Sequence, residues 1–294
     1  MELAENWSDK TGAWRMRKQD ADLTFAIQTD THVDLDNSSG KNNCAPDIGH
    51  NVRMFAKAAD LDFYANLGDF IEGYPEDTTE DMRADLIELF HRYCEDAPCP
   101  VVLALGNHDS NSMYVDAHGG AYIPNEELYT LIRQNVQKTC PRAVFPGNVC
   151  YYYIDFAKVR VVVLNTQDTG RPTGFAIGDA QLAWLKETAL RTDRAVLLMG
   201  HAPLVPQIGS NLPKQSEEAL AILKAFRDAG GQVIGCFYGH EHTQSAIQID
   251  GIWHIAFSYP GCKAEAVAIN LRNRTIQTQM IGHLWGEKDR EFSF

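Results

Sequence analysis

An α/β fold is predicted for this chain, and three features predict it. Short apolar runs alternate with helical segments from Leu23 to Tyr238, the pattern of a mostly parallel sheet covered by helices. The stretch from Thr243 to Ile281 is strand-rich and adds a second sheet. Small polar clusters stand just after the apolar runs, where open α/β sheets place their sites, at the carboxyl ends of strands.

Residues 1–22 are polar and read as an N-terminal extension, with Trp7 and Trp14 available to pin it to the body or a frayed arm as the alternative. A single domain is expected over residues 23–294. Leu23 to Ile27 reads as a buried strand. A loop from Asp34 to Pro46, a helix from His50 to Ala59 and a strand from Phe63 to Leu67 follow. Thr79 to Glu95 reads as a long helix with Thr79 as its cap. Val101 to Leu105 is a third strand. Residues 110–148 hold one helix, near Glu126 to Lys138, and read as a lid-like insertion because the segment is long for a plain loop. Tyr151 to Phe156 and Val159 to Asn165 read as a hairpin, Asp179 to Leu190 as a helix capped by Asp179, and Ala195 to Met199 as a strand. Ser216 to Ala229 is a helix closed by Gly230-Gly231, and Val233 to Tyr238 a further strand. The tail supplies strands at 244–249, 252–257, 264–271 and 275–281.

With 294 residues the chain can form one large α/β domain or two small ones. No apolar run approaches the roughly 20 residues that cross a bilayer, and the start lacks the apolar core of a signal peptide, so a cytoplasmic protein without a membrane partner is expected. The net charge is −13 and only Arg15-Met16-Arg17-Lys18 is locally basic, which disfavours a polynucleotide partner. Seven cysteines, irregularly spaced and without a CxxC pair, read as reduced, buried thiols.

The polar clusters carry the chemistry. They are Asp30-Thr31-His32, Gly68-Asp69, Gly106-Asn107-His108-Asp109, Gly200-His201 and Gly239-His240-Glu241-His242, with Asn165-Thr166-Gln167-Asp168 as a weaker sixth. Asp, Asn and His in this number are a ligand set for two divalent ions, and two close metals point to phosphate ester chemistry. Asp30 and His32, two apart at a strand end, are expected to point the same way, as are His240 and His242. Asp69 is a carboxylate, which can bridge two cations. Mixed oxygen and nitrogen donors suit Mn, Fe or Zn.

The order D-x-H, G-D, G-N-H-D, G-H, G-H-x-H resembles the calcineurin-like metallophosphoesterase superfamily, over residues 24 to about 283. The resemblance implies a four-layer α/β-β/α sandwich of two mixed sheets with a dinuclear metal site at the strand C-terminal ends. It implies that Asp30, His32, Asp69 and His242 hold one metal, and that Asp69, Asn107, His201 and His240 hold the other. It implies further that His108 faces the substrate as proton donor or charge stabiliser and that Asp109 orients His108 through its ring N–H. A hydroxide shared by the two cations would attack phosphorus, so no Ser or Cys nucleophile is required.

Purple acid phosphatases carry Tyr in the G-D-x-x-Y position. Glu72 stands there in this chain, which argues against that Tyr-ligated subgroup. Glu72 reads either as a hydrogen-bond acceptor behind the site or as a solvated loop acid. Asn107 and His108 are expected to touch substrate, and Arg171 is a candidate phosphate donor beside Asn165 and Asp168, which otherwise read as turn residues. His254 reads as a satisfied strand histidine, with proximity to the metals as the alternative. The Tyr151-Tyr152-Tyr153 run reads as strand packing rather than a base-stacking platform. The expected function is hydrolysis of a small phosphodiester, nucleotide-like or otherwise. The alternatives are a phosphomonoesterase on a small metabolite, a nuclease of the same superfamily, and a metal-binding scaffold without catalysis.

Overall fold

The computed structural model describes residues 8, 10–33, 35, 48–73, 78–111, 122–168, 174–257, 264–281 and 289–294. The first sheet contains β1 (Leu23–Gln28), β2 (Phe63–Asn66), β3 (Val101–Leu103), β10 (Ala264–Asn270), β11 (Thr275–Ile281) and β12 (Arg290–Ser293). Their order is β12-β11-β10-β1-β2-β3. The second sheet contains β4 (Tyr152–Asp155), β5 (Val159–Val163), β6 (Ala195–Met199), β7 (Val233–Tyr238), β8 (Ser245–Ile249) and β9 (Ile252–Ala256), ordered β4-β5-β6-β7-β9-β8. Both sheets are mixed. β1, β2 and β3 run parallel, as do β5, β6 and β7, while β10 pairs antiparallel with β1 and β4 with β5.

Alternation along the strands explains the layering. Leu197 and Met199 of β6 join the core shared with the first sheet, whereas Val196 and Leu198 join a separate core on the outer side. Phe25 of β1 stacks on Phe63 at 4.4 Å and meets Phe237 of β7 at 6.1 Å, which locks one sheet to the other. Helices α1 (Thr11–Asp20), α2 (Ile48–Ala59), α3 (Thr79–Cys94) and α4 (Asn125–Thr139) pack with the first sheet. Helices α5 (Asp179–Trp184) and α6 (Ser216–Asp228) cover the second. This is the expected sandwich, with two six-stranded sheets flanked by helices.

Several elements differ from expectation. Thr11–Asp20, within the expected extension, is a helix; Trp14 is fully buried and its indole Nε1 donates to Gln279 Oε1 at 2.9 Å. A single apolar anchor on a polar helix leaves no periodicity to read. The cap of α3 is Thr78, not Thr79: its hydroxyl accepts from Asp81 N while the Asp81 carboxylate accepts from Thr78 N, a closed capping box. Asp179 occupies the first turn of α5 behind Gly178, and the helix widens into a π-helical turn over Leu185–Ala189. Strand β12 has no counterpart in the sequence reading. Of the segment expected to form a lid, residues 112–121 lie outside the described residues. Helix α4, in the described remainder, is built into the body: Leu128, Ile132 and Val136 are buried, and Arg83 of α3 donates two hydrogen bonds to the Glu127 carboxylate.

Candidate metal centre

The candidate ligands leave the carboxyl ends of five strands. Asp30 and His32 follow β1, Asp69 follows β2, Asn107 and His108 follow β3, His201 follows β6, and His240 and His242 follow β7. The site therefore straddles the seam between the sheets. His201 Nδ1 lies 2.9 Å from Leu67 O across that seam, and His240 N donates to both oxygens of Asp30 at 3.0 and 2.9 Å.

The expected alternation of strand side chains is not how these residues converge. Asp30, His32, Asp69, His240 and His242 all have positive φ, between 43° and 69°. The chain has already left the pleat and turns left-handed at each of them, a conformation that Asp and His tolerate better than most residues and that clusters at functional sites. The turns also need close backbone approach. A Cβ on Gly106 would sit 2.2 Å from Asp69 Oδ1, and one on Gly239 would sit 1.8 Å from Thr29 Oγ1.

The donor atoms meet in three overlapping groups, each with its ligand atoms within 4.8 Å of one another: Asp30, His32 and His242; His32, Asp69 and His108; Asp69, His201 and His240. His32 Nε2 lies 3.2 Å from His242 Nε2, and His242 Nε2 lies 3.3 Å from Asp30 Oδ1. Asp69 Oδ2 lies 3.1 Å from His201 Nε2 and 3.7 Å from His32 Nε2, so one carboxylate joins both halves. Asn107 Oδ1 is 3.0 Å from His201 Nε2. Imidazole and carboxylate bind first-row ions at roughly 2.0–2.2 Å, so donors about 3–4 Å apart are what the coordination shell of such an ion requires. The donor set fits two ions.

The electrostatics favour added positive charge. Asp30, Asp69 and Asp109 are 0%, 1% and 1% exposed, and among the described residues no Lys or Arg forms an ion pair with any of them. Burial opposes charge on Asp69, yet His201 and His108 hold its carboxyl well below the usual range. Burial would strip the proton from His201, but the Asp69 charge outweighs it and holds the imidazole up at about 9. Burial and then the Asp69 charge push Asp109 up to about 7. Burial, followed by the His201 charge, drives His240 down to about 4. His242 is 41% exposed, so the cluster opens to solvent on that side.

All seven candidate ligands and His108 are thus gathered in one place. Asp109 is different. Its carboxylate accepts from Asp69 N at 3.1 Å, Phe70 N at 2.6 Å and Gly106 N at 2.8 Å. It makes no bond to His108; His108 Nδ1 meets the main-chain oxygen of Glu72 at 2.5 Å. The expectation that Asp109 orients His108 is corrected accordingly: three converging backbone amides claim the carboxylate first. Arg171 lies outside the described residues. Asn165 and Asp168 are turn residues, held by Tyr129 and Gln181 and by Gln181 and Gly178. Tyr152 packs with its hydroxyl on the Leu103 backbone, and His254 Nδ1 lies 2.9 Å from the Tyr238 hydroxyl, outside the donor groups. Two neighbours of His240 were not foreseen: Asn211 Nδ2 is 3.2 Å from its Nε2, and the Phe175 ring stands 4.9 Å from it. Nothing in their local sequence marks them, because the loops that carry them approach only in the folded chain.

Comparison with known proteins agrees with this geometry. A dimetal phosphatase from Danio rerio is similar in structure, with a TM-score of 0.70 and 14% identity, over 93% of this chain and 99% of that one. GAP50, the anchor in the inner membrane complex of Plasmodium, is similar at a TM-score of 0.51 and 15% identity, over 92% of this chain and 88% of that one. At these identities the likeness is one of fold. Among curated protein sequences none matches the chain. The calcineurin-like phosphoesterase family model matches residues 23–244, which include every candidate ligand. The chain belongs to the calcineurin-like phosphoesterase family and is a metallophosphoesterase, with a dimetal site implied by that membership and by its clustered His and Asp side chains.

Proposed function

We propose that the protein is a two-metal phosphodiesterase acting on a small phosphodiester. The observation that carries this reading is Asp69, whose carboxylate belongs to two of the three donor groups and can serve both ions at once. Asp30, His32 and His242 would hold one ion with Asp69, and Asn107, His201 and His240 the other. When bound, Mn, Fe or Zn ions supply charge neutralisation for the phosphoryl oxygens and acidify water at neutral pH.

The remaining work falls to side chains. The donors of both sheets would hold the ions, and the turns that carry them are braced by Asp109 and by Asp30 itself. Because Glu72 O can only accept, His108 Nδ1 carries a proton; a second proton at Nε2 makes the imidazolium that can protonate the leaving oxygen. That device suits a poor alkoxide leaving group. The net charge of −13 weighs against polynucleotides. Among the described residues no helix is long and apolar enough to cross a membrane.

The test is turnover of bis(p-nitrophenyl) phosphate and p-nitrophenyl phosphate by metal-stripped protein titrated with Mn²⁺. Mn²⁺-dependent turnover with the diester faster is expected; turnover indifferent to metal would sink the reading. His108→Ala should keep its metal and lose about 10²–10⁴-fold on esters with poor leaving groups, and much less on p-nitrophenyl esters. Equal loss on both would remove His108 as the proton donor.

A further inference from the structure

Glu72 stands three residues after Asp69, on a strap that runs beside residues 31–33. His32 N donates to Asp69 O at 3.0 Å and Val33 N to Phe70 O at 2.9 Å, which hold the strap in register. The two ends of Glu72 do different things. Its main-chain oxygen lies 2.5 Å from His108 Nδ1, and its carboxylate Oε2 lies 2.9 Å from His32 Nδ1. The side chain is only 15% exposed, so it is no solvated loop acid. Gly73 follows with φ +64°, and a Cβ there would sit 2.7 Å from Asn111 Oδ1, so the turn that aims the Glu72 carbonyl is itself tightly confined.

Both imidazoles therefore turn the same nitrogen toward one residue. The Glu72 carbonyl can only accept, so His108 Nδ1 bears the proton, and the carboxylate charge lying against His32 Nδ1 favours a proton there as well, which leaves Nε2 of each ring to address the site. In His32 that nitrogen lies 3.2 Å from His242 Nε2 and 3.7 Å from Asp69 Oδ2, inside the donor cluster. The two rings meet edge to face with centroids 4.5 Å apart, so neither can swing without displacing the other.

We propose that Glu72 is the positioning residue of this centre: its carboxylate sets the tautomer and aim of His32 as a metal ligand, and its carbonyl sets those of His108. The assignment rests on reading His32 as a ligand. It explains how one short strap aligns an ion and a proton donor together. Partners behind a metal-bound histidine are typically worth 10–100-fold in metal affinity. Only the carboxylate can be removed by mutation; the carbonyl survives any substitution.

Calorimetric titration of the metal-free, folded protein with Mn²⁺ tests this. Wild type should bind two ions. Glu72→Ala should weaken one of the two sites by about 10–100-fold and leave the other unchanged. Its turnover deficit should shrink as Mn²⁺ is raised, and its ratio of rates on alkyl and p-nitrophenyl esters should match wild type, because the carbonyl still holds His108. Glu72→Gln keeps an acceptor without the charge and should fall between, and it carries the test where Glu72→Ala does not fold. Two unweakened sites in both variants, or equal loss from both sites, would overturn the role of Glu72. Wild type binding fewer than two Mn²⁺ would instead overturn the metal reading beneath it.

Discussion

Among the described residues, two buried acidic clusters are built on opposite plans. On β10, opposite Ile27 of β1, Glu265 is 3% exposed and accepts from Arg290 at 3.1 Å through both oxygens, with Gln244 Nε2 adding a bond at 2.8 Å. Arg290 also donates to Ser245 O and Ala256 O of the second sheet, each at 3.2 Å, so the pair staples strand β12 across the seam. That cluster carries its own counter-charge. At the metal centre Asp30, Asp69 and Asp109 are as deeply buried, but among the described residues histidines, backbone amides and the Thr29 hydroxyl face them, and no Lys or Arg does. A group whose charges close on themselves holds the fold. A group left acidic and short of cations is arranged for a guest that brings positive charge.

The comparison can be broken most sharply at Asp69. Asp69→Asn should cost at least one metal and on the order of 10³-fold or more in turnover, because the same carboxylate serves both halves of the site. Two-metal occupancy with a normal rate would end the bridging assignment. The second cluster should answer in stability instead. Arg290→Met leaves the Glu265 carboxylate buried without its partner and should cost about 3–5 kcal/mol, read from the urea midpoint, while metal content holds. Adding Glu265→Met should restore much of that loss; if the double variant is as unstable as the single, the pair is not the staple.

Asp109→Asn sharpens the boundary between the plans. Its carboxylate braces the Asp69 turn, so the variant should lose roughly 10–100-fold in Mn²⁺ affinity with leaving-group dependence unchanged. A change in leaving-group dependence would return Asp109 to the side of His108. His254, buried outside both clusters and held down at about 4 by burial, answers through pH instead. Its folded pKa lies below the unfolded value near 6.5, so the unfolded chain binds the extra proton first. Stability is fully present above pH 6.5 and falls as pH drops toward 4, by on the order of 3 kcal/mol. His254→Gln should flatten that slope in urea midpoints measured across the window.

What could be read before folding and what could not divide along physical lines. The ligand order was legible because each donor follows an apolar strand, and strand ends in α/β sheets converge. The left-handed turns at Asp30, His32 and His240 were not, since alternation along a strand predicts the same convergence by a different route. Asp109 was misread because Asn-His-Asp is contiguous, whereas the amides that claim its carboxylate come from 69, 70 and 106. Helix α1 and strand β12 escaped for a shared reason: each is short and polar, and the contacts that hold it, Trp14 on Gln279 for one and the β11 ladder with Arg290 on Glu265 for the other, come from distant parts of the sequence or from partners that only the fold supplies.

The close approach at Gly106 and Gly239 has a consequence for redesign. Those positions decide where the chain can go, and Asn107, His201 and His240 carry the donor atoms gathered beside them. The two roles sit on adjacent but separate residues. A programme to change metal preference can therefore vary the donors while leaving the glycines fixed, and the turns supply a ready mould for each new set.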